Sequence, residues 1–146
     1  MVVLPLVGGE RRVIMSTWVL HVDDDEMVRL MIARIFHLNG IPLIQASSGR
    51  EALEMLHELD RSYGSVLRLM IVTDGQMPGM NGDDLIAEAR KLFSHQLKAA
   101  MVLTGGTERF HGGVVRIGYE LVEKSVKNFE LMEKVFHFLA TSASES

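Results

Sequence analysis

Four stretches of the chain carry side chains suited to phosphoryl-group chemistry. Val22-Asp23-Asp24-Asp25 sets three carboxylates directly after an apolar run. Asp74 follows Leu69-Met-Ile-Val-Thr73 and opens the loop Gly75-Gln-Met-Pro-Gly-Met-Asn-Gly82. Thr104 follows Ala99-Ala-Met-Val-Leu103, and Lys124 follows Tyr119-Glu-Leu-Val-Glu123. Clustered carboxylates repel one another unless a cation joins them. Mg²⁺ is the natural partner, a hard ion that takes oxygen ligands and keeps several waters. A carboxylate such as Asp74 can attack phosphorus and form an aspartyl phosphate. Such transfer asks mainly for positioning and charge neutralisation. Lys124, the Thr104 hydroxyl and backbone N–H groups near Gly75 and Gly105 would supply these. Taken singly, each residue has an ordinary reading: Asp24 or Asp25 as a helix cap, Thr104 as a turn residue, Lys124 as a surface lysine. Their joint position after apolar runs is what gives them weight.

The elements that must position them alternate. Trp18–Val22, Ile41–Ala46, Val66–Thr73, Ala99–Leu103 and Tyr119–Glu123 read as short buried strands. Met27, Leu30, Met31, Ile35 and Leu38 recur at helical spacing over residues 26–39, with Asp25 as N-cap and Asn39-Gly40 as stop. A second helix opens at Ser47 or Ser48, and a third is capped by Asp83 or Asp84 and runs to about Leu92. Residues 108–117 are expected to form a fourth, weakened by Gly112-Gly113, and 128–139 a fifth. Pro42 lacks an N–H, so the second strand belongs at a sheet edge or begins late. Alternating strands and helices imply a parallel sheet covered on both faces. Ligands gather at the C-terminal ends of such strands, where Asp23, Asp24, Asp74, Thr104 and Lys124 all fall.

Composition sets the bounds. A chain of 146 residues suits one domain. With no cysteine, disulfides, thiolate ligands and cysteine catalysis are excluded, and a reducing, cytoplasmic setting fits. The net charge of −4 is well mixed, with no basic block, which argues against nucleic acid or membrane as partner. No apolar run is long enough to span a bilayer. Residues 1–16 read as a flexible extension, 17–140 as the domain and 141–146 as a frayed tail.

Val22-Asp23-Asp24-Asp25, Ser48-Gly-Arg-Glu-Ala-Leu53, Asp74-Gly-Gln-Met-Pro-Gly-Met-Asn-Gly82, Leu103-Thr104-Gly105 and Lys124 together resemble the response-regulator receiver domains of two-component signalling, of the single-domain, chemotaxis-regulator-like kind. The resemblance spans Trp18 to Leu139. It implies an α/β, flavodoxin-like doubly wound (βα)5 fold with strand order 2-1-3-4-5. It implies Asp74 as phosphoacceptor, with Mg²⁺ held by Asp24 and Asp74, by Asp23 mainly through water, and by the Gln76 main-chain carbonyl. It implies a phosphoryl donor that is a sensor histidine kinase or phosphotransfer protein. It also implies a downstream protein partner on the face made by the fourth helix, fifth strand and last helix. The domain would be a switch that assists its own phosphorylation and dephosphorylation.

Two positions depart from the family pattern. Ser125 follows Lys124 where proline is usual, and Leu121 stands three residues before Lys124 where an aromatic is usual. Residues 104–125, with two adjacent glycines, are expected to rearrange most on phosphorylation. Gln76 and Gly106 occupy the positions that tune dephosphorylation in the family; Gly106 has no side chain to shield the phosphoryl group, so Gln76 is expected to set its lifetime. A binding-only receiver that signals unphosphorylated is the main alternative. An aspartyl phosphohydrolase would need a general acid where Gln76 stands, and a nucleotide-binding flavodoxin-type protein would not set three aspartates after its first strand. The chain reads as a stand-alone receiver or as one cut from a hybrid kinase.

Overall fold

The computed structural model describes residues 3–7, 10–13, 15–104, 115–118 and 125–144. In chain order the elements are β1 (Val3–Val7), β2 (Glu10–Val13), β3 (Ser16–Val22), α1 (Glu26–Leu38), β4 (Leu43–Ala46), α2 (Gly49–Tyr63), a 3₁₀ turn (Gly64–Val66), β5 (Leu67–Asp74), α3 (Gly82–Leu92), β6 (Leu97–Thr104), β7 (Val115–Gly118) and α4 (Ser125–Ser144). β1 and β2 pair antiparallel within the residues read as an extension. The other strands form one parallel sheet in the order β4-β3-β5-β6-β7. Counted within that sheet, this is the expected 2-1-3-4-5 order.

The central strands are buried on both faces, so their sequences are almost continuously apolar. Leu20, Val22, Leu69, Ile71 and Val102 point to one side, where Leu56, Leu85, Ala89 and Phe93 cover them. Val19, Met70, Val72, Met101 and Leu103 point to the other, against Ile32, Phe36, Leu131 and Val135. Pro42 stays out of the ladder, as its missing N–H requires, yet its carbonyl accepts the Val19 N–H at 3.0 Å. No helix among the described residues is long and apolar enough to cross a membrane.

Three local expectations need correction. The cap of α3 is Asn81, whose side chain accepts the Asp84 N–H at 2.9 Å, rather than Asp83 or Asp84. The helix begins one residue before Asp83, at a glycine that the loop before it can approach closely. The fifth strand of the sheet is Val115–Gly118, where the last part of a helix was expected. The β-branched residues Val115 and Ile117 alternate and suit a strand, and Gly112-Gly113 disfavours a helix through them. Finally, the last helix is longer than expected, running from Ser125 to Ser144. The rest of the expected fourth helix and the strand expected at residues 119–123 lie outside the described residues.

Candidate functional site

At the end of β3 three aspartates take three different positions. Asp23 is 6% exposed. Its Oδ1 accepts the Asp25 N–H at 2.9 Å, and its carbonyl accepts Arg29 Nη1 at 2.7 Å. Asp25 caps α1 by accepting the Met27 N–H at 2.9 Å. Asp24, between them, is exposed. The run therefore separates into a buried carboxylate, an exposed one that meets Asp74 and a cap.

Asp74 is the last residue of β5 and sits opposite Leu103 of β6. The chain then turns sharply: the Gly75 N–H donates to the Leu103 carbonyl at 3.1 Å, and the Gly82 N–H donates to the Gly75 carbonyl at 3.0 Å. This closes the loop back under Asp74. A Cβ at position 82 would collide with the Asp74 carbonyl oxygen, so only glycine permits this approach. Gly79 takes φ +83°, which also favours glycine.

The oxygens of Asp23, Asp24 and Asp74 lie within 4.8 Å of one another. Burial is the first cause that pushes the Asp23 carboxyl up to about 6, reinforced by the charges of Asp74, Asp24 and Asp25 and opposed by the Asp25 N–H. Asp74 is also raised, first by burial and then by Asp24, while the Gln76 and Gly75 N–H groups pull it down. The ion pairs Arg50–Glu54, Arg61–Glu58 and Lys91–Glu88 are exposed pairs on helices rather than partners of this cluster. Three hard oxygen donors at graded depth fit a divalent cation such as Mg²⁺.

The structure thus brings together Asp23, Asp24 and Asp74, with the Gln76 N–H beside Asp74. Thr104 ends β6, opposite Gly118 and one residue beyond the register partner of Asp74. Lys124, Gly105, Gly106 and Leu121 lie outside the described residues.

Sequence reasoning did not single out a supporting network behind Asp23. Gln45 Nε2 donates to the Arg29 carbonyl at 2.8 Å and lies 3.0 Å from His21 Nδ1. His21 is fully buried, and burial, then the Arg29 charge, lowers its pKa to about 3. It is therefore neutral, and among the described residues its Nε2 has no hydrogen-bond partner. Arg29 looks in sequence like any helix-surface arginine. Only the fold shows that it reaches back to hold a strand-end carbonyl.

The family model described as "Response regulator receiver domain" matches residues 19–136. The chain belongs to the response-regulator receiver family. The transcriptional regulatory protein FixJ of Azorhizobium caulinodans is 31% identical over 123 residues, covering 84% of this chain and 50% of FixJ. The sensor kinase CckA of Brucella abortus is 37% identical over 76 residues, covering 52% of this chain and 8% of the kinase. The chain thus spans half or less of these two curated relatives. A receiver domain protein from Methanospirillum hungatei superposes with a TM-score of 0.63 at 22% identity, covering 88% of this chain and 98% of that one. TrrA of Thermotoga maritima, solved in complex with Mg²⁺-BeF, gives 0.64 at 23% identity, covering 84% and 99%. These two likenesses establish the receiver fold.

Proposed function

We propose that this receiver accepts a phosphoryl group on Asp74, with Mg²⁺ held by Asp23, Asp24, Asp74 and the Gln76 main-chain carbonyl, and that it signals through protein–protein contact. The observation that carries this reading is the convergence of three carboxylates within 4.8 Å at the C-terminal edge of a parallel sheet. An Asp74 carboxylate oxygen attacks the phosphorus of a phosphohistidine. The new O–P bond forms as the N–P bond breaks, and the leaving imidazole takes up a proton. Bound Mg²⁺ would neutralise charge on the transferring group. Asp23, fixed through the Asp25 N–H and the Arg29 clamp on its carbonyl, holds the acidic turn in place. Asp74 is aimed by its strand and by the Gly82 approach beneath it. Thr104 and Lys124 are assigned to the phosphoryl oxygens.

The donor is a histidine kinase or phosphotransfer protein. Met27 and Leu30, 66% and 57% exposed on α1 beside the acidic turn, offer an apolar surface for it. The output partner is assigned to the face that includes β7 and α4. Residues 17–140 act as the receiver unit, in a cytoplasmic setting.

The test is intact-mass analysis after acetyl phosphate with Mg²⁺, backed by beryllofluoride binding. Wild type should gain one phosphoryl group, and Asp74→Asn should gain none. A folded wild type that takes neither ligand would replace this reading with a binding-only receiver.

A further inference from the structure

At the N-terminal ends of the strands, opposite the end that carries the acidic cluster, lies a cavity of about 410 Å³, within the size range of small-molecule sites. It opens between the first residues of β5 and β6 and the second half of α4. Met70, Met101 and Phe138 give it an apolar lining, while Arg68, Lys98, Lys134 and His137 bring nitrogen groups to it. Among the described residues the lining holds no carboxylate. Arg68 is 2% exposed, so it belongs to the buried wall of the cavity. Lys98 and Lys134 are exposed and can reach a ligand.

One further feature makes this a place for a ligand rather than a packing gap. Lys134, His137, Phe138 and Thr141 recur at positions i, i+3, i+4 and i+7, so one stripe of α4 faces the cavity.

We propose that this cavity binds a small organic anion with an apolar body and a single carboxylate or phosphate head. The body lies on Met70, Met101 and Phe138, and the head meets Lys98 and Lys134. The site is separate from the phosphoacceptor, because Arg68 and Asp74 are six residues apart on one strand, roughly 20 Å. The inference does not depend on the phosphoacceptor reading.

Two-dimensional NMR titration of the full chain with 4-phenylbutanoate, 4-phenylbutyl phosphate and uncharged 4-phenylbutanol tests it. At least one anion should bind tenfold or more tightly than the alcohol, with shifts centred on Lys98, Ala99, Met101, Lys134 and Phe138. The double variant Lys98→Gln/Lys134→Gln alters only exposed side chains, so it should keep the fold and lose that tenfold preference. Equal affinity for anion and alcohol, shifts centred elsewhere, or a preference unchanged in the double variant would overturn the proposal.

Discussion

At the C-terminal edge of the sheet, three carboxylates crowd together, and burial with the nearby charges raises the proton affinity of Asp23 and Asp74. At the N-terminal edge of the same strands, a buried arginine and two lysines surround an apolar cavity. β5 takes part in both, with Arg68 near its start and Asp74 at its end. A parallel sheet gathers like ends of strands together, so residues far apart in sequence act as one charged surface. The acidic edge is the costlier of the two, since its charges are close and partly desolvated. It is held by backbone contacts: the Gly82 approach, the Arg29 clamp and the Asp25 cap. If strand-end geometry rather than general surface charge matters here, substitutions at those contacts should have the largest effects.

The largest effect should come from Gly82→Ala. The added methyl meets the Asp74 backbone, which cannot move aside as a flexible side chain could. A loss of about 2 kcal/mol or more is expected, as for overpacked sites, measured by urea unfolding. Phosphoryl uptake should fall beyond what the residual folded fraction explains. A near-neutral result would mean that the loop tolerates a different path, and the acidic edge would then be less fixed than described.

Arg29→Ala should follow, at about 1–2 kcal/mol, because it removes a charged donor from a carbonyl beside the acidic turn. The same variant should weaken Mg²⁺ binding, read by Mg²⁺-induced change in melting temperature. Loss of stability with unchanged Mg²⁺ affinity would make Arg29 a packing residue alone.

The two buried groups of β3 and its end respond to pH in opposite senses. Asp23 is raised from 3.8 to about 6, so its favourable contribution is present below 3.8 and is lost as pH rises through 6. His21 is lowered from 6.5 to about 3, so its contribution is present above 6.5 and is lost as pH falls towards 3. Each slope is limited to about 1.4 kcal/mol per pH unit per proton. Asp23→Asn keeps the acceptor oxygen for Asp25 and removes the charge. It should stabilise the metal-free protein at pH 7.5 by about 1 kcal/mol and steepen its loss of stability between pH 6 and pH 4. His21→Gln should do the reverse in that window. Because the metal needs ionised carboxylates, Mg²⁺ should stabilise wild type well at pH 7.5 and little at pH 5.

Much of this site was legible because its residues sit at ends of apolar runs. Asp23, Asp24 and Asp74 needed only a parallel sheet to converge, and the alternation of strand and helix implied one. Asp25 as cap was readable from its place before a helical stripe. The network of Arg29, Gln45 and His21 was not, since its contacts join residues whose sequence distance carries no periodic signal. The cap at Asn81 was missed for a different reason. Asn81, Asp83 and Asp84 are all good capping residues, and the choice among them is made by how closely Gly82 packs under Asp74. Val115-Arg-Ile117 was read as the end of a helix because so short an alternation cannot outweigh the helical reading of the residues before it.

The smallest effect should come from an exposed ion pair, and it bears on the same comparison. Arg50 Nε lies 3.6 Å from Glu54 on α2, with both side chains largely in solvent. Such i,i+4 pairs contribute about 0.3–0.5 kcal/mol, and salt screens them. Arg50→Ala should therefore change stability by no more than about 0.5 kcal/mol at physiological salt and leave Mg²⁺ binding unaltered. Arg29 and Arg50 both sit on helices and both look like surface arginines in sequence. If their alanine variants cost the same, the clamp on the Asp23 carbonyl would contribute nothing beyond ordinary surface charge. A clear gap between them would locate the difference at the strand end, where one hydrogen bond fixes the backbone that carries the acidic cluster.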